Sequence, residues 1–407
     1  MGIIFTFFII GLIIFIGFLG GLVFEKTKIS EILVLIFIGI ILGPVLKLLS
    51  PEKLSQFTEI FGALALMVIL FEGGMELDLE KVFKTFSFAA LLVSITFIGT
   101  TVAIALFTHL FWGYPFLEAF MLGAVLGCTS GAIVIPLVSK MNISQETKTI
   151  LSLESVLSDV LAIVIMISLM KLASAKEPNM FLGFKDLASA FSVAAVIGIL
   201  TGFLWLKILK TVKDKPFSYM ITIAAVLCVY AITEFLGGNG PVSSLVFGLV
   251  LGNEEKIAPF FKIKKSELLG EKIKWFHSEF AFFIRTFFFV YIGMIFSLKD
   301  LSSDFFVGIA AIILLIFLVR YISTYSMVSV YKEKKEERYI IGTMAPRGLA
   351  SAVLATVPIA SGFALAGRFI EYTSMVIIAT NIIVTVGVFV IERRTYDKRK
   401  GREVKND

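Results

Sequence analysis

The chain of 407 residues is 58% hydrophobic and only 17% charged, and its mean hydropathy is +0.95. A soluble domain carries about 25% charged residues, so this composition excludes a protein whose whole surface faces water. Apolar stretches of about 18 residues or more recur along the chain and predict helices that cross a bilayer. The residues do not alternate between apolar and polar, as the strands of a membrane barrel would.

The net charge of +6 comes largely from lysines and arginines between the apolar stretches. We interpret it as a signal of membrane topology and predict no nucleic-acid partner. Cys128 and Cys228 both lie inside apolar stretches, and His109 and His277 stand apart from other metal-ligating residues. The sequence therefore predicts no disulfide framework, no metal cluster and no cofactor.

The apolar stretches predict thirteen spans in an all-α polytopic membrane protein. Residues 1–392 form one transmembrane transporter unit, and residues 393–407 form a basic tail. Because the ninth span is short and begins with glycine, twelve is the competing count. The predicted spans are 2–24, 30–48, 59–77, 87–108, 115–139, 147–171, 188–206, 217–236, 240–252, 277–297, 305–328, 338–361 and 370–391.

The distribution of basic residues predicts the orientation of these spans. If the N-terminus lies outside, the cytoplasmic segments hold 27 basic residues and the external loops hold six. The basic residues alternate from loop to loop as the positive-inside rule requires. Removing one span would place every later loop on the opposite side of the membrane and break this alternation. We therefore predict a multi-pass protein of the cell membrane with its N-terminus outside and its C-terminus in the cytoplasm.

Span six carries the densest group of polar residues, Glu154, Ser155, Ser158 and Asp159. An ionisable residue inside a bilayer is costly and is a functional candidate by default. On a helix, Ser155 and Asp159 lie one turn apart with Ser158 beside them, whereas Glu154 points away. A carboxylate flanked by hydroxyl groups suits a dehydrated monovalent cation. The alternative is that the carboxylates hold helices together, which we favour for Glu154 but not for Asp159.

Spans five and twelve contain helix-breaking residues at their centres. Span five has Gly127-Cys128-Thr129-Ser130-Gly131 and then Pro136, and span twelve has Pro346-Arg347-Gly348. Glycine and proline free backbone carbonyls, which transporters use to build ion sites near the bilayer midplane. The two spans occupy equivalent positions in two halves of six, with span seven as a linker. This arrangement is typical of an inverted repeat.

Four further charged residues need partners or access to water. Arg347 requires a counter-charge, and Glu154 is the best candidate, so we predict a structural ion pair between them. Glu72 lies near the inner end of span three, where it either lines a cytoplasmic access path or extends its carboxylate towards the interface. For Arg285 and Arg320 we favour side chains that extend to the membrane surface.

Five segments together resemble the monovalent cation:proton antiporter superfamily, and in particular its NhaP-type sodium/proton antiporters. They follow in the family's order over nearly the whole chain. The segments are Leu70–Leu77, the segment around Thr129, Glu154–Ser155 with Asp159, Phe247–Asn253, and Arg347–Gly348.

This resemblance implies a homodimer with an interface domain from spans 1–3 and 8–10 and a core from spans 4–6 and 11–13. Spans five and twelve would cross as unwound helices, and the core would move in an elevator-type cycle. Asp159 would bind the proton or the cation, with Na⁺ held also by Ser155 and Thr129 and with Ser130 and Ser158 in the same site. The resemblance also implies that Glu72 lies on the access path and that Glu154 pairs with Arg347.

The chain departs from the family at two positions of the site. The usual Thr-Asp-Pro of span five is Thr129-Ser130-Gly131 here, and the usual Asn before the key Asp is Ser158. Related potassium/proton exchangers also carry hydroxyl groups at the first position. The implied function is electroneutral exchange of one proton for one Na⁺ or Li⁺ at Asp159. The alternatives are potassium/proton exchange and a channel or sensor of the same fold.

Overall fold

A computed structural model describes residues 3–27, 31–47, 58–141, 143–174, 180–212, 215, 217–257, 271–296, 302–330, 337–360, 363 and 366–403. Within these ranges the chain is almost entirely helical and contains no strand. A π-helical segment, Ile41–Val45, and a single turn, Glu254–Ile257, accompany the longer helices. The longer helices are α1 (Ile3–Thr27), α2 (Glu31–Ile40), α3 (Thr58–Glu76), α4 (Leu79–Trp112), α5 (Phe116–Gly127), α6 (Gly131–Ser139), α7 (Gln145–Ser174), α8 (Met180–Val212), α9 (Ser218–Phe235), α10 (Gly240–Gly252), α11 (Glu271–Ile295), α12 (Ser303–Val330), α13 (Arg338–Thr343), α14 (Leu349–Ala360) and α15 (Ala366–Glu403).

These helices follow the predicted spans in number and order. Spans five and twelve are each divided into two helices, α5 with α6 and α13 with α14, and every other span corresponds to one helix. In the described part of the chain, seven helices are long and apolar enough to cross a membrane, and five shorter apolar helices accompany them. One of the shorter helices is α10, which corresponds to the predicted ninth span.

The break in span five arises from its local sequence. α5 ends at Gly127, and Cys128 and Ser130 adopt extended backbone conformations with ψ of 149° and 114°. Glycine is a poor residue for a helix interior, and the polar side chains that follow it compete for backbone hydrogen bonds. The helix resumes at Gly131 as α6. The expected unwinding is therefore confirmed at the residues that predicted it.

The first of two compact units contains both broken spans. It comprises Met1–Leu54, Thr85–Ala162 and Phe289–Asp407. Buried apolar side chains from α4, α6, α7, α12, α13 and α15 form one cluster in this unit. The cluster fixes the helices that carry the polar residues of spans five, six and twelve. Its members include Phe88, Leu92, Leu137, Ile150, Met327, Ile341 and Met344.

The second unit comprises Ser55–Lys84 and Ile163–Phe288 and is organised around α3 and α10. A β-carbon on Gly248 would lie 2.3 Å from the Phe71 backbone oxygen, and one on Gly252 would lie 2.2 Å from that of Met75. Glycines thus allow the two backbones to touch, as in other membrane helix pairs. This pair of glycines therefore packs two helices of the same protomer against each other.

Candidate functional site

The two helix breaks meet in the first unit. The Ser130 N–H donates to the Pro346 carbonyl oxygen at 2.8 Å. A β-carbon on Gly348 would lie 2.1 Å from Ser130 Oγ, so the Ser130 side chain packs directly against this glycine. Two residues of α15 support the second break, because Thr380 Oγ1 accepts from the Arg347 N–H at 3.1 Å and Asn381 Nδ2 donates to the Arg347 carbonyl at 2.8 Å. Spans five and twelve therefore contact each other through unwound backbone.

Asp159 lies on α7 beside the start of α6. A β-carbon on Gly131 would lie 3.7 Å from Asp159 Oδ2, and the Gly131 N–H and the Cys128 thiol are within hydrogen-bonding reach of the carboxylate. The side chain is buried, with 6% of its surface exposed. Its second oxygen, Oδ1, has no hydrogen-bond partner in the described part of the protein. A buried carboxylate oxygen without a donor is unfavourable unless a proton or a cation binds it.

Ser158 joins α7 to the break in span five. Its hydroxyl accepts from the Thr129 N–H at 2.9 Å and lies 3.2 Å from the Thr129 carbonyl oxygen and 2.8 Å from the Ser155 carbonyl oxygen. The side chain therefore satisfies backbone groups that the break leaves unpaired. Ser158 positions the Thr129 backbone next to α7, and its own hydroxyl is already occupied by these bonds.

The remaining predicted hydroxyl groups differ in their surroundings. Ser155 Oγ donates to the Ser152 carbonyl of its own helix at 2.8 Å, and a β-carbon on Gly131 would lie 3.5 Å from it. Ser155 and Asp159 thus face the same position at the start of α6. Thr129 Oγ1 donates to Glu154 Oε1 at 3.2 Å, so the hydroxyl is engaged away from Asp159 and the role of Thr129 in binding a cation stays a prediction.

The structural ion pair is formed with a different arginine from the one predicted. Glu154 Oε1 accepts from Arg320 Nη1 at 2.8 Å, and both side chains are buried. Arg347 Nε instead donates to the Leu126 carbonyl at 2.6 Å, and its Nη1 donates to the Ala345 carbonyl at 3.1 Å. The prediction of a Glu154–Arg347 pair is therefore wrong in its partner: carbonyls at the two breaks accept from Nε and Nη1 of Arg347, and Nη2 has no hydrogen-bond partner among the described residues.

Arg320 also corrects the expectation that it extends to the membrane surface. Its side chain is fully buried on α12, and Nε donates to the Ile341 carbonyl at 2.8 Å. It therefore holds α7 through Glu154 and α13 through a backbone oxygen. Ionic contacts of this kind stabilise only when both charges are partnered.

Glu72 lies in the second unit, on α3. Its carboxylate is within hydrogen-bonding reach of Ser278, and the charge of Arg285 acts on it from α11. Glu76, one turn further along α3, lies near the same arginine. The structure thus places Glu72 in a group of charged residues of α3 and α11, and its role on an access path stays a prediction.

Several residues of the site were missed by sequence reasoning. Cys128 Sγ lies 3.2 Å from Ser351 Oγ at the first break, and Thr380 and Asn381 hold the second break. These residues are small and polar within apolar spans, and this feature could have marked them as candidates for the site. Small polar residues also occur wherever membrane helices pack against each other, so the feature is not specific. In the described residues no group of three or more His, Cys, Asp or Glu side chains could hold a metal ion.

Comparison with known proteins gives a consistent result. The family model described as "Sodium/hydrogen exchanger, transmembrane" matches residues 4–392. The Na(+)/H(+) antiporter 1 of Methanocaldococcus jannaschii is 24% identical over 358 residues, which is 85% of this chain and 81% of that protein. The Probable Na(+)/H(+) antiporter 2 of the same organism is 26% identical over 373 residues, which is 85% of each chain.

A second group of relatives is named for a different cation. The K(+)/H(+) antiporter NhaP2 of Shewanella sp. (strain ANA-3) is 23% identical over 79% of this chain, but only 54% of that protein is covered. Among solved structures, the sodium proton antiporter MjNhaP1 from Methanocaldococcus jannaschii at pH 8 has a TM-score of 0.78 and 22% identity, with 97% of both chains covered. The predicted fold class is confirmed by this likeness.

Proposed function

Because this chain belongs to the sodium/hydrogen exchanger family of transmembrane proteins, we propose that it exchanges protons for Na⁺, with Li⁺ as a second substrate. Its relatives are named as antiporters, and the chain is a secondary transporter rather than an enzyme. The transported ions are its substrates, and no cofactor takes part.

One observation carries the proposed mechanism. Asp159 Oδ1 is buried and has no hydrogen-bond donor among the described residues, and the carboxylate lies beside the helix break of span five. Oxygen ligands of this type suit hard cations such as Na⁺. Asp159 therefore binds either a proton or a dehydrated cation, with the Thr129 backbone and Ser155 as further cation ligands. Ser158 supports Thr129, and Ser130 forms the contact between the breaks.

The exchange follows from competition for this single carboxylate. Glu154 is neutralised by Arg320, so Asp159 is the carboxylate left to bind an ion at the breaks. The site is neutralised equally by one proton or one monovalent cation. The transporter changes orientation only in a neutralised state, because moving an uncompensated charge through a membrane is costly. One proton then exchanges for one cation without net charge movement.

The resemblance supplies the proposed assembly and movement. We assign spans 1–3 and 8–10 to a dimer interface and spans 4–6 and 11–13 to a core that moves as an elevator, with span seven as the linker. Five of the six core spans fall entirely in the first compact unit, which also includes the first two spans. The basic-residue asymmetry supports an N-terminus outside the cell membrane and a cytoplasmic C-terminus.

Purified protein in proteoliposomes tests the activity directly. An acidic interior is established, and Na⁺, Li⁺ or K⁺ is then added outside while a fluorescent dye reports the internal pH. We expect Na⁺ and Li⁺ to dissipate the gradient at a rate that exceeds that of protein-free vesicles. A gradient that no monovalent cation dissipates would contradict the proposed function and favour a channel or a sensor of the same fold.

Potassium/proton exchange is the second candidate function. Ser130 stands where the family usually has a carboxylate, and relatives named as K(+)/H(+) antiporters match 79% of this chain. Loss of a charged ligand weakens the preference for the smaller, more strongly hydrated ion. Dissipation of the gradient by K⁺ but not by Na⁺ would identify this substrate and leave the mechanism at Asp159 intact.

Stoichiometry is tested in the same vesicles. Setting the membrane potential with a potassium ionophore and K⁺ gradients should not change the initial rate of Na⁺-driven proton movement, since one charge replaces one charge. A rate that reverses or scales with the imposed potential would contradict electroneutral exchange.

A further inference from the structure

Glu337 is the N-cap residue of α13, but its carboxylate accepts hydrogen bonds from residues at the start of α7. Its backbone carbonyl accepts from the Ile340 N–H at 3.0 Å and the Ile341 N–H at 3.1 Å, which starts α13. Its carboxylate makes no capping hydrogen bond to that helix. Both carboxylate oxygens instead accept hydrogen bonds from Ser144 and Thr147 at the start of α7.

Three hydrogen bonds form this contact. The Ser144 N–H donates to Glu337 Oε1 at 2.6 Å, and Ser144 Oγ donates to Oε2 at 2.8 Å. Thr147 Oγ1 also donates to Oε2. Ser144 Oγ accepts in turn from the Thr147 N–H at 3.2 Å, so Ser144 is the N-cap of α7. Ser144, Thr147 and Glu337 are called the clamp below.

The clamp has the properties of a strong contact. A carboxylate at a helix N-terminus satisfies N–H groups that have no helical partner and lies at the positive end of the helix dipole. Hydrogen bonds to a charged acceptor are roughly twice as strong as neutral ones. Ser144 is exposed to water, but Thr147 is fully buried, so at least one bond of the clamp is shielded.

The clamp joins α7, which carries part of the proposed cation site, to α13, which leads into the break in span twelve. α7 carries Asp159, which lies fifteen residues, or about 22 Å, along the helix from Ser144. α13 leads directly into the break at Pro346 that bonds to Ser130. A displacement of either helix at the clamp would be transmitted to the site, because a helix is stiff along its axis.

We propose that Glu337 is a positioning residue for cation binding. It holds α7 and the broken helix α13–α14 in one register, so that Asp159 and the Thr129 backbone stay at the separation that a dehydrated cation needs. This inference rests on the proposed function and adds to it a residue outside the ion site. The clamp maintains the shape of the site without contacting the transported ion.

Substitutions in the clamp test the inference through the apparent KM for the cation. Glu337→Ala should raise this KM by about threefold or more, as expected for the loss of hydrogen bonds to a charged group. The maximal rate per folded transporter should stay within twofold, at about the wild-type value. Glu337→Gln keeps one acceptor oxygen and should lie between the wild type and Glu337→Ala.

The donors of the clamp provide an independent check. Ser144→Ala with Thr147→Val should raise the KM as Glu337→Ala does, and combining all three changes should add little, because the residues form one network. Thr149→Val is the matched control, since the Thr149 hydroxyl donates only to the Gln145 carbonyl of its own helix at 2.9 Å. Glu255→Gln, at an exposed residue of the second unit, controls for the loss of a charge.

A role confined to stability predicts a different result. The variants would then give less folded protein and a lower Tm with an unchanged KM, and this outcome would overturn the inference. Cation-induced thermal stabilisation of the detergent-solubilised protein reports the same affinity without transport. A wild type with neither exchange nor stabilisation refutes the proposed function. Clamp variants with wild-type affinity by both measurements refute the role of Glu337 alone.

Discussion

Glu154 and Asp159 lie on the same helix, five residues apart, in opposite electrostatic situations. Glu154 Oε1 accepts from Arg320 Nη1 at 2.8 Å and from Thr129 Oγ1 at 3.2 Å, whereas Asp159 forms no ion pair with a described residue. One oxygen of each carboxylate, Glu154 Oε2 and Asp159 Oδ1, has no hydrogen-bond partner in the described part of the protein. Burying a charge is costly unless it is paired and hydrogen-bonded. Arg320 therefore neutralises Glu154, and in the proposed mechanism a transported ion neutralises Asp159.

Removing Arg320 tests this division of roles. Arg320→Met leaves Glu154 buried without a counter-charge and should destabilise the protein by about 3–5 kcal/mol, whereas Glu154→Gln with Arg320→Met should recover much of the loss. Thermal unfolding in detergent measures the stability of the single and the double variant. Lys256→Met is the control, because Lys256 pairs with Asp78 at the surface and should cost no more than about 1 kcal/mol. Equal losses in the single and double variants would contradict the pairing.

The partner of Glu154 could not be predicted from the sequence. Helical geometry correctly separates the faces of Glu154 and Asp159, but it does not say which of Arg320 and Arg347 approaches Glu154. The unwound backbone decides between them, because the Leu126 and Ala345 carbonyls at the breaks accept hydrogen bonds from Nε and Nη1 of Arg347. The sequence does not predict such backbone partners, because they depend on the conformation of the chain at the break.

At the scale of the elements, the contact between Ser130 and Gly348 sets how closely the broken spans approach. A β-carbon on residue 348 would lie 2.1 Å from Ser130 Oγ and 2.5 Å from Ser130 Cβ, which is closer than non-bonded atoms approach in proteins. A hydroxymethyl group on one break therefore requires a glycine on the other. The serine that departs from the family pattern is thus packed, not open to the site.

A double substitution tests this packing. Gly348→Ala should abolish most exchange, because the new methyl group collides with Ser130, and Ser130→Gly in the same protein should restore part of it. The vesicle assay measures both, with folded protein quantified by size-exclusion chromatography. Gly342→Ala on α13 is the control, since the nearest atoms to its β-carbon would be 3.8 Å away. Failure of Ser130→Gly to restore any exchange would contradict the argument.

The α3–α10 pair provides a second prediction at this scale. Gly248→Ala places a methyl group against the Phe71 backbone oxygen, which is held within a helix and cannot rotate away. We expect a loss of stability of about 1–3 kcal/mol, seen as a lower Tm in detergent. Gly11→Ala, where no atom lies within 4 Å of the β-carbon, should leave the Tm unchanged or raise it slightly. Equal Tm values for Gly248→Ala and the wild type would argue against close backbone contact.

The number and order of the helices could largely be predicted from the sequence, but the residues at which they begin and end could not. Apolar stretches predicted the thirteen spans, and glycine and proline predicted both breaks. The helices extend further than the stretches, however: α4 begins at Leu79 rather than 87, and α15 continues to Glu403 beyond the predicted end at 391. Hydropathy detects only the part of a helix that lies in hydrocarbon, whereas hydrogen bonding continues the helix into the polar region.

On the scale of the whole molecule, charge is the main evidence for orientation. The 27 basic residues assigned to the cytoplasmic side and the six assigned outside differ far more than chance placement would produce. Because the rule acts during insertion, it predicts the orientation of every loop together. The orientation with the N-terminus outside is thus a prediction from charge.

Labelling of single cysteines tests the orientation. Lys185→Cys and Lys215→Cys place thiols at exposed positions at opposite ends of α8, in a background in which the exposed Cys228 is replaced by Ala. A membrane-impermeant maleimide added to intact cells should label Lys185→Cys, and it should label Lys215→Cys only after permeabilisation. The reverse pattern would place the N-terminus inside.

The most direct test of the central claim is the rate at which Na⁺ dissipates a pH gradient in vesicles containing the wild type or Asp159→Asn. The amide cannot exchange a proton for a cation, although it has nearly the size of the carboxyl group. We predict that Na⁺ collapses the gradient with the wild type and has no effect beyond that in protein-free vesicles with Asp159→Asn. Substantial Na⁺-driven proton movement in correctly folded Asp159→Asn would show that another residue exchanges the proton.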